Sequence, residues 1–228
     1  MCTSIVVNKK KTLAGWNLDL KNMEYRVTAR PEGVYIEIND PTEGWMPLFG
    51  ANSRGDFVGI PTCWPYDAAS DPKEGAENVI LLDIDLLLQR KTFDEICRIV
   101  SRRPVASVPG LTFMGALSDA EGNVLHIVPG HGFLKYEKPD HCVLTNFSPF
   151  GGTEAAHPLM GRDRFEKAEA MLKNAKSDFG TEDCFDVLEA VSQEVCPTVV
   201  SMVFDVSERT VYWFEDRLRQ NMRSYKLG

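Results

Sequence analysis

Cys2 is the first residue in the chain whose type and position could do chemistry. It follows the initiator methionine, where methionine aminopeptidases accept small residues, so Cys2 is expected to become the amino terminus once Met1 is removed. A free α-amine has a pKa of about 7.7–8.0, so a useful fraction is neutral near pH 7, while the thiol on the same residue titrates near 8.5 when unperturbed. One residue would then supply both a nucleophile and its general base. The competing reading is an ordinary cysteine that happens to stand second. A carboxylate is within reach along the chain: residues 12–19 read T-L-A-G-W-N-L-D, and if the first two strands fold back as a hairpin, Asp19 returns to the amino terminus. There it could orient the amine and stabilise its protonated form during thiol attack. Alone, Asp19 reads equally well as a polar residue at a strand end.

Other chemistry-bearing residues are less suggestive. Cys63-Trp64 stands without the rest of a papain-type signature and near the middle of a strand, so Cys63 reads as structural. His126 and His131 flank Pro129-Gly130, which breaks any helix that could align them, and His141-Cys142 adds little, so no metal site and no cofactor are expected. Gly151-Gly152-Thr153 lacks the strand-to-helix context of a phosphate cradle, and there is no serine nucleophile elbow.

The elements that must position Cys2 are strands. Residues 3–7 and 12–16 read as a hairpin across Lys9-Lys10-Lys11, and 25–29, 34–38, 46–50 and 57–62 as further strands between Gly and Pro breaks. Residues 78–89 are apolar and long enough for a helix, and Thr92-Phe93-Asp94-Glu95 is a capping box that opens another, to about 102. Strands return at 111–117, 124–128 and 142–146. Helices follow at 162–175 and 182–194, and a second hairpin, 199–206 with 210–214, turns across Ser207-Glu208-Arg209. Blocks of strands, two helices, strands, two helices and strands predict an α+β fold with mainly antiparallel sheets, in one domain over 1–228.

Composition narrows the partners. The chain has 228 residues, 43% hydrophobic and 25% charged, with a net charge of -8. That balance argues against nucleic acid, which needs a basic face. No stretch approaches the roughly 18 apolar residues of a membrane span, and the start has no basic segment followed by an apolar one, so neither membrane insertion nor secretion is expected. Six scattered cysteines read as reduced thiols in a cytoplasmic protein. A monomer and a homo-oligomer fit the composition equally well.

Several motifs together resemble one family. Met1-Cys2-Thr3-Ser4, the G-x-N-x-D run Gly15-Trp16-Asn17-Leu18-Asp19, Gly50-Ala51-Asn52-Ser53-Arg54-Gly55, Leu144-Thr145-Asn146-Phe147-Ser148-Pro149-Phe150, Arg164-Phe165 and the closing T-V-V-S-M-V-F-D are similar, in order and spacing, to the choloylglycine hydrolase family of bile salt hydrolases and penicillin V acylases. The resemblance implies a four-layer αββα sandwich of the N-terminal-nucleophile hydrolase type and hydrolysis of a linear amide C–N bond in a small N-acyl substrate through an S-acyl-enzyme on Cys2. An acyltransferase using an amine acceptor and a non-catalytic ligand-binding protein on the same fold are the alternatives. By the same resemblance Asp19 would hold the α-amine, Asn146 would donate its side-chain N–H to the oxyanion, and Arg164, two residues after Arg162, would lower the thiol pKa. Trp16 stands where most bile salt hydrolases carry arginine, and is expected to wall an acyl group or to pack in the core. Thr62 falls where the family often has an oxyanion neighbour, and its hydroxyl or the following N–H would serve.

Overall fold

The computed structural model describes residues 2–151, 157 and 159–228; Met1, Gly152 and Thr153 lie outside them. The chain opens with the hairpin β1 (Cys2–Asn8) and β2 (Thr12–Asp19), then a meander of β3 (Tyr25–Arg30), β4 (Gly33–Asp40), β5 (Gly44–Asn52) and β6 (Phe57–Gly59). The run expected at 57–62 is split at Ile60-Pro61, because proline cannot donate to a ladder, and the chain leaves the sheet to form the short β7 (Thr62–Cys63). β8 (Glu77–Asn78) leads into α1 (Val79–Leu87), whose first turn is capped by the Asn78 side chain accepting from Leu81 N–H. The capping box forms in full at α2 (Phe93–Val100), with Thr92 and Glu95 exchanging bonds.

After α2 come β9 (Val105–Ala106), β10 (Thr112–Phe113), β11 (Gly115–Ser118), β12 (Val124–Val128), β13 (Gly132–Tyr136) and β14 (His141–Leu144). The helices α3 (Arg162–Lys173) and α4 (Thr181–Ala190) precede β15 (Thr198–Asp205), β16 (Thr210–Glu215) and β17 (Arg223–Lys226). β13 and β17 were not expected from the sequence. Both are edge strands with half-exposed, mixed polar faces, so neither carries the apolar pattern by which a strand is read.

Two large sheets result, both antiparallel. One runs β14-β1-β2-β15-β16-β17, the other β13-β12-β11-β6-β5-β4-β3. α3 and α4 pack on the first, against β14, β1, β2 and β15, and α1 packs on the second, against β5, β6 and β11. The layers are therefore helix, sheet, sheet, helix, as expected. Because β1 is covered on both faces, all seven of its residues are buried. Cys2, Val6, Ala14, Trp16 and Leu18 face the second sheet, while Ile5, Val7 and Leu13 pack under α3 and α4 with Ala168, Leu172 and Leu188. The two sheets meet at Trp16: its ring stacks on Phe49 at 5.1 Å, and a Cβ at Gly59 would sit 2.4 Å from it. Glycine at 59 is what lets an indole fill the gap between the sheets.

Candidate active site

The site lies where β1, β2 and β14 end together. Cys2 pairs with Leu18, so Asp19, the last residue of β2, comes beside Cys2. Alternation along β2 sends Asp19 to the helix side with Asn17, which donates to Leu188 O of α4 at 2.7 Å. The Cys2 side chain points the other way, into the space between the sheets, and is 4% exposed. The backbone nitrogen of Cys2 sits where the two faces meet.

Asn146 follows the end of β14 by two residues. Its backbone is pinned on both sides, with N–H to Met160 O at 3.1 Å and C=O from Trp64 N–H at 2.7 Å. Its side chain is oriented by its partners. Oδ1 accepts from Cys2 N at 2.9 Å and from Arg164 Nη2 at 2.7 Å, both obligate donors, so Nδ2 must face the other way. There it donates to the Thr62 carbonyl at 2.7 Å, with Thr62 Oγ1 at 3.2 Å.

Arg164 ties the pieces together. It is 5% exposed, in the first turn of α3, where the helix dipole disfavours a cation, so its partners must outweigh that cost. Nη1 reaches Cys2 O at 2.9 Å, Thr3 Oγ1 at 2.8 Å and Asp19 Oδ2 at 3.3 Å, while Nη2 takes Asn146. Arg162, its neighbour in sequence, turns outward over the Phe147 ring at 4.7 Å. The guanidinium lies against Gly161, which has φ +66° and where a Cβ would come within 2.3 Å of Nη2. Gly161→Ala should therefore lose about 1–3 kcal/mol from the left-handed backbone and displaced guanidinium together. A urea unfolding midpoint equal to the parent's would contradict this.

Electrostatically the thiol is not the low-pKa group expected beside an arginine. With Met1 in place, burial pushes Cys2 up to about 11; the Asp19 charge adds to the rise, and the Asp19 backbone N–H and Arg164 pull it down by less. Arg164 acts on the Cys2 carbonyl and the carboxylate more than on the sulfur. Asp19 is itself raised by burial, against the Arg164 charge and hydrogen bonds from Thr198 and Gln193.

The structure thus gathers Cys2, Asp19, Asn146, Arg164 and Thr62. It does not bring Trp16 to a ligand surface: the indole has no exposure and packs on Phe49, so the core alternative holds and the acyl wall does not. Thr3, Gln193 and Thr198 belong to the cluster and were not singled out from the sequence; Thr3 could have been, as the strand neighbour of Cys2. Cys63 is 5% exposed and lines a cavity of about 70 Å³ with Trp64, Val128 and the His131–Asp67 pair, which lie 2.7 Å apart. Of the other histidines, His157 stacks on Trp64 at 5.0 Å, His126 is buried against Tyr136, and His141 meets Glu169 at 3.3 Å. All six cysteines are unpaired.

No sequence-family model and no characterised protein matches the chain. Solved structures do. A variant of the conjugated bile acid hydrolase from Clostridium perfringens superposes with a TM-score of 0.70 at 16% identity, over 99% of this chain and 92% of that one. The penicillin V acylase from Agrobacterium tumefaciens gives 0.64 at 15% identity, over 95% and 83%. A Caenorhabditis elegans ortholog of N-acylethanolamine-hydrolyzing acid amidase gives 0.63 at 18%, over the full length of both. The fold is that of the N-terminal-nucleophile hydrolases.

Proposed function

We propose that the chain is an N-terminal-cysteine amidohydrolase of the choloylglycine hydrolase type, cleaving a linear, non-peptide amide in a small N-acyl substrate. The observation that carries this reading is the hydrogen-bonded ring of Cys2, Asn146 and Arg164, with Asp19 held on the same guanidinium. Removal of Met1 turns the donor nitrogen of that ring into a primary amine without moving its partners. The thiol of Cys2, raised by burial, then needs a base, and the amine on the same carbon takes its proton as sulfur adds to the substrate carbonyl.

The oxyanion that forms can take an N–H of Asn146. One is held tightly by the Thr62 carbonyl, while the other has only the longer contact to Thr62 Oγ1, which an anionic oxygen would displace or share. A preorganised donor of this kind contributes about 2.7–4 kcal/mol to lowering a barrier. Collapse breaks the C–N bond, the α-ammonium protonates the departing amine, and the acyl group stays on sulfur. Water, deprotonated by the amine, releases the acid. Asp19 and Arg164 hold the amine and Asn146 in register throughout.

The test is direct. Intact-mass analysis of the purified protein should show Met1 gone and iodoacetamide adding to Cys2 before the other five thiols, and a panel of N-acyl amides (bile salt conjugates, penicillin V, acyl-homoserine lactones, fatty amides) scored by amine release should give turnover. A retained methionine, or a Cys2 no more reactive than Cys97, would remove this reading. Saturable binding without turnover would leave a ligand-binding protein, and transfer to an added amine in place of water an acyltransferase.

A further inference from the structure

The loop after α4 and the first residue of β15 deliver two side chains that this reaction scheme does not use. Gln193 and Thr198 close on each other: Thr198 N–H donates to Gln193 O at 3.0 Å, and Gln193 N–H donates to Thr198 Oγ1 at 3.1 Å. Each then takes one oxygen of Asp19, Thr198 Oγ1 donating to Oδ1 at 2.6 Å and Gln193 Nε2 to Oδ2 at 2.5 Å. A register shift makes the second contact set possible. β15 pairs Val200 with Leu18, so regular pairing would set Val199 opposite Asp19, yet the irregularity between Thr198 and Val200 puts Thr198 there. Leu20 N–H to Pro197 O at 3.1 Å ties the same loop to the end of β2.

The directions of these bonds matter. Thr198 Oγ1 accepts the Gln193 N–H and spends its own proton on Oδ1, and an amide Nε2 can only donate. Both bonds are suited to a carboxylate that accepts, and a proton on either oxygen would meet a donor. The charged and titratable groups facing Asp19 are Arg164 from α3 and the Cys2 thiol from β1, to which removal of Met1 would add the α-amine of Cys2. Gln193 and Thr198 add no charge but oppose the effect of burial on Asp19, whose side chain has no exposure.

We propose that Gln193 and Thr198 are positioning residues that keep Asp19 ionised and aimed at the α-amine of Cys2, and so set a lower step on the acid limb of the pH profile, below the step at which the amine itself is protonated. This rests on the function proposed above. The experiment measures kcat/KM for amine release, and in parallel the rate of Cys2 alkylation by intact mass, against pH. Gln193→Leu and Thr198→Val should each move that lower step up by roughly one pH unit, a further loss of about tenfold below it. Gln193→Glu, which sets a second carboxylate against the first, should move it further in the same direction and serves if the leucine variant fails to fold. Thr198→Ser keeps the hydroxyl and should keep the parental limb. Superimposed acid limbs in the parent, Gln193→Leu and Thr198→Val would overturn the proposal. If the parent releases no amine from any substrate, the proposed function fails separately, and the alkylation profiles still decide: a displaced profile supports the clamp, coincident ones overturn it.

Discussion

Arg164→Met should lower the stability of the folded chain by about 3–5 kcal/mol near neutral pH and leave a site that does not turn over. The size follows from what the guanidinium holds. Cys2 O, Thr3 Oγ1, Asp19 and Asn146 Oδ1 all take hydrogen bonds from its two terminal nitrogens, in a place where Asp19 has no access to solvent. Methionine fills the volume but leaves a buried carboxylate without its cation. Burial, which already raises Asp19, is then opposed by the neutral donors Thr198 and Gln193 without the guanidinium, so its folded-state pKa rises further. A carboxyl raised on folding keeps its contribution below the unfolded pKa of about 3.9 and loses it as pH rises. The deficit of the variant relative to the parent should therefore be smallest near pH 4 and grow toward pH 7, as read from urea midpoints. Arg164→Lys returns the charge but cannot span four acceptors with one ammonium, so it should recover stability at pH 7 more fully than activity. A methionine variant with the parental midpoint at pH 7 would mean that the ring contributes nothing to the fold.

How far the sequence foretold this site depended on the range of the interactions. The hairpin was legible because Thr3 to Val7 is β-branched and apolar and the three lysines mark its turn, and once it folds, the return of Asp19 to Cys2 is a matter of strand geometry. The capping box at Thr92 was legible for the same local reason. Asn146 and Arg164 were reached through motif resemblance, since nothing local tells a strand-end asparagine or a first-turn arginine from its ordinary counterpart. Gln193 was out of reach. Residues 182–194 carry no helix breaker, so the helix was expected to run through it, whereas α4 stops at Ala190 and Gln193 turns back to a carboxylate 174 residues earlier. Trp16 was open between an acyl wall and a core side chain, because it stands where the family carries arginine, and the structure places it in the core. The pattern Ala14, Trp16, Leu18 on one face, with Asn17 and Asp19 on the other, is what decides it, and only the second sheet shows that the first face is covered.

The largest effect away from this site is expected at Asp83. It sits on α1, facing β11, fully buried, and among the described residues neither of its oxygens has a hydrogen-bond partner. Gly115 opposite it has no room for a side chain, since a Cβ there would lie 2.8 Å from Oδ1. An ionised carboxylate in that position has nothing to offset the loss of water, so burial alone drives the pKa well above the usual range and the group is folded in as the neutral acid. The linkage has one sign. The folded chain holds a proton that the unfolded chain releases above about pH 3.9, so stability falls with rising pH, by about 1.4 kcal/mol per unit, until the folded-state pKa is reached. Asp83→Leu, close in shape and without polar atoms, removes that slope and the unsatisfied group together. It should gain about 1–3 kcal/mol at pH 4 and progressively more above it, in urea unfolding measured across pH 4 to 8. Asp83→Asn separates the two causes: it abolishes the slope, because the amide does not titrate, but leaves a buried polar group unserved and so should gain little at pH 4. Parallel stability curves for the parent and Asp83→Leu would show that the carboxyl finds a partner on folding, and that α1 meets β11 differently from the packing described.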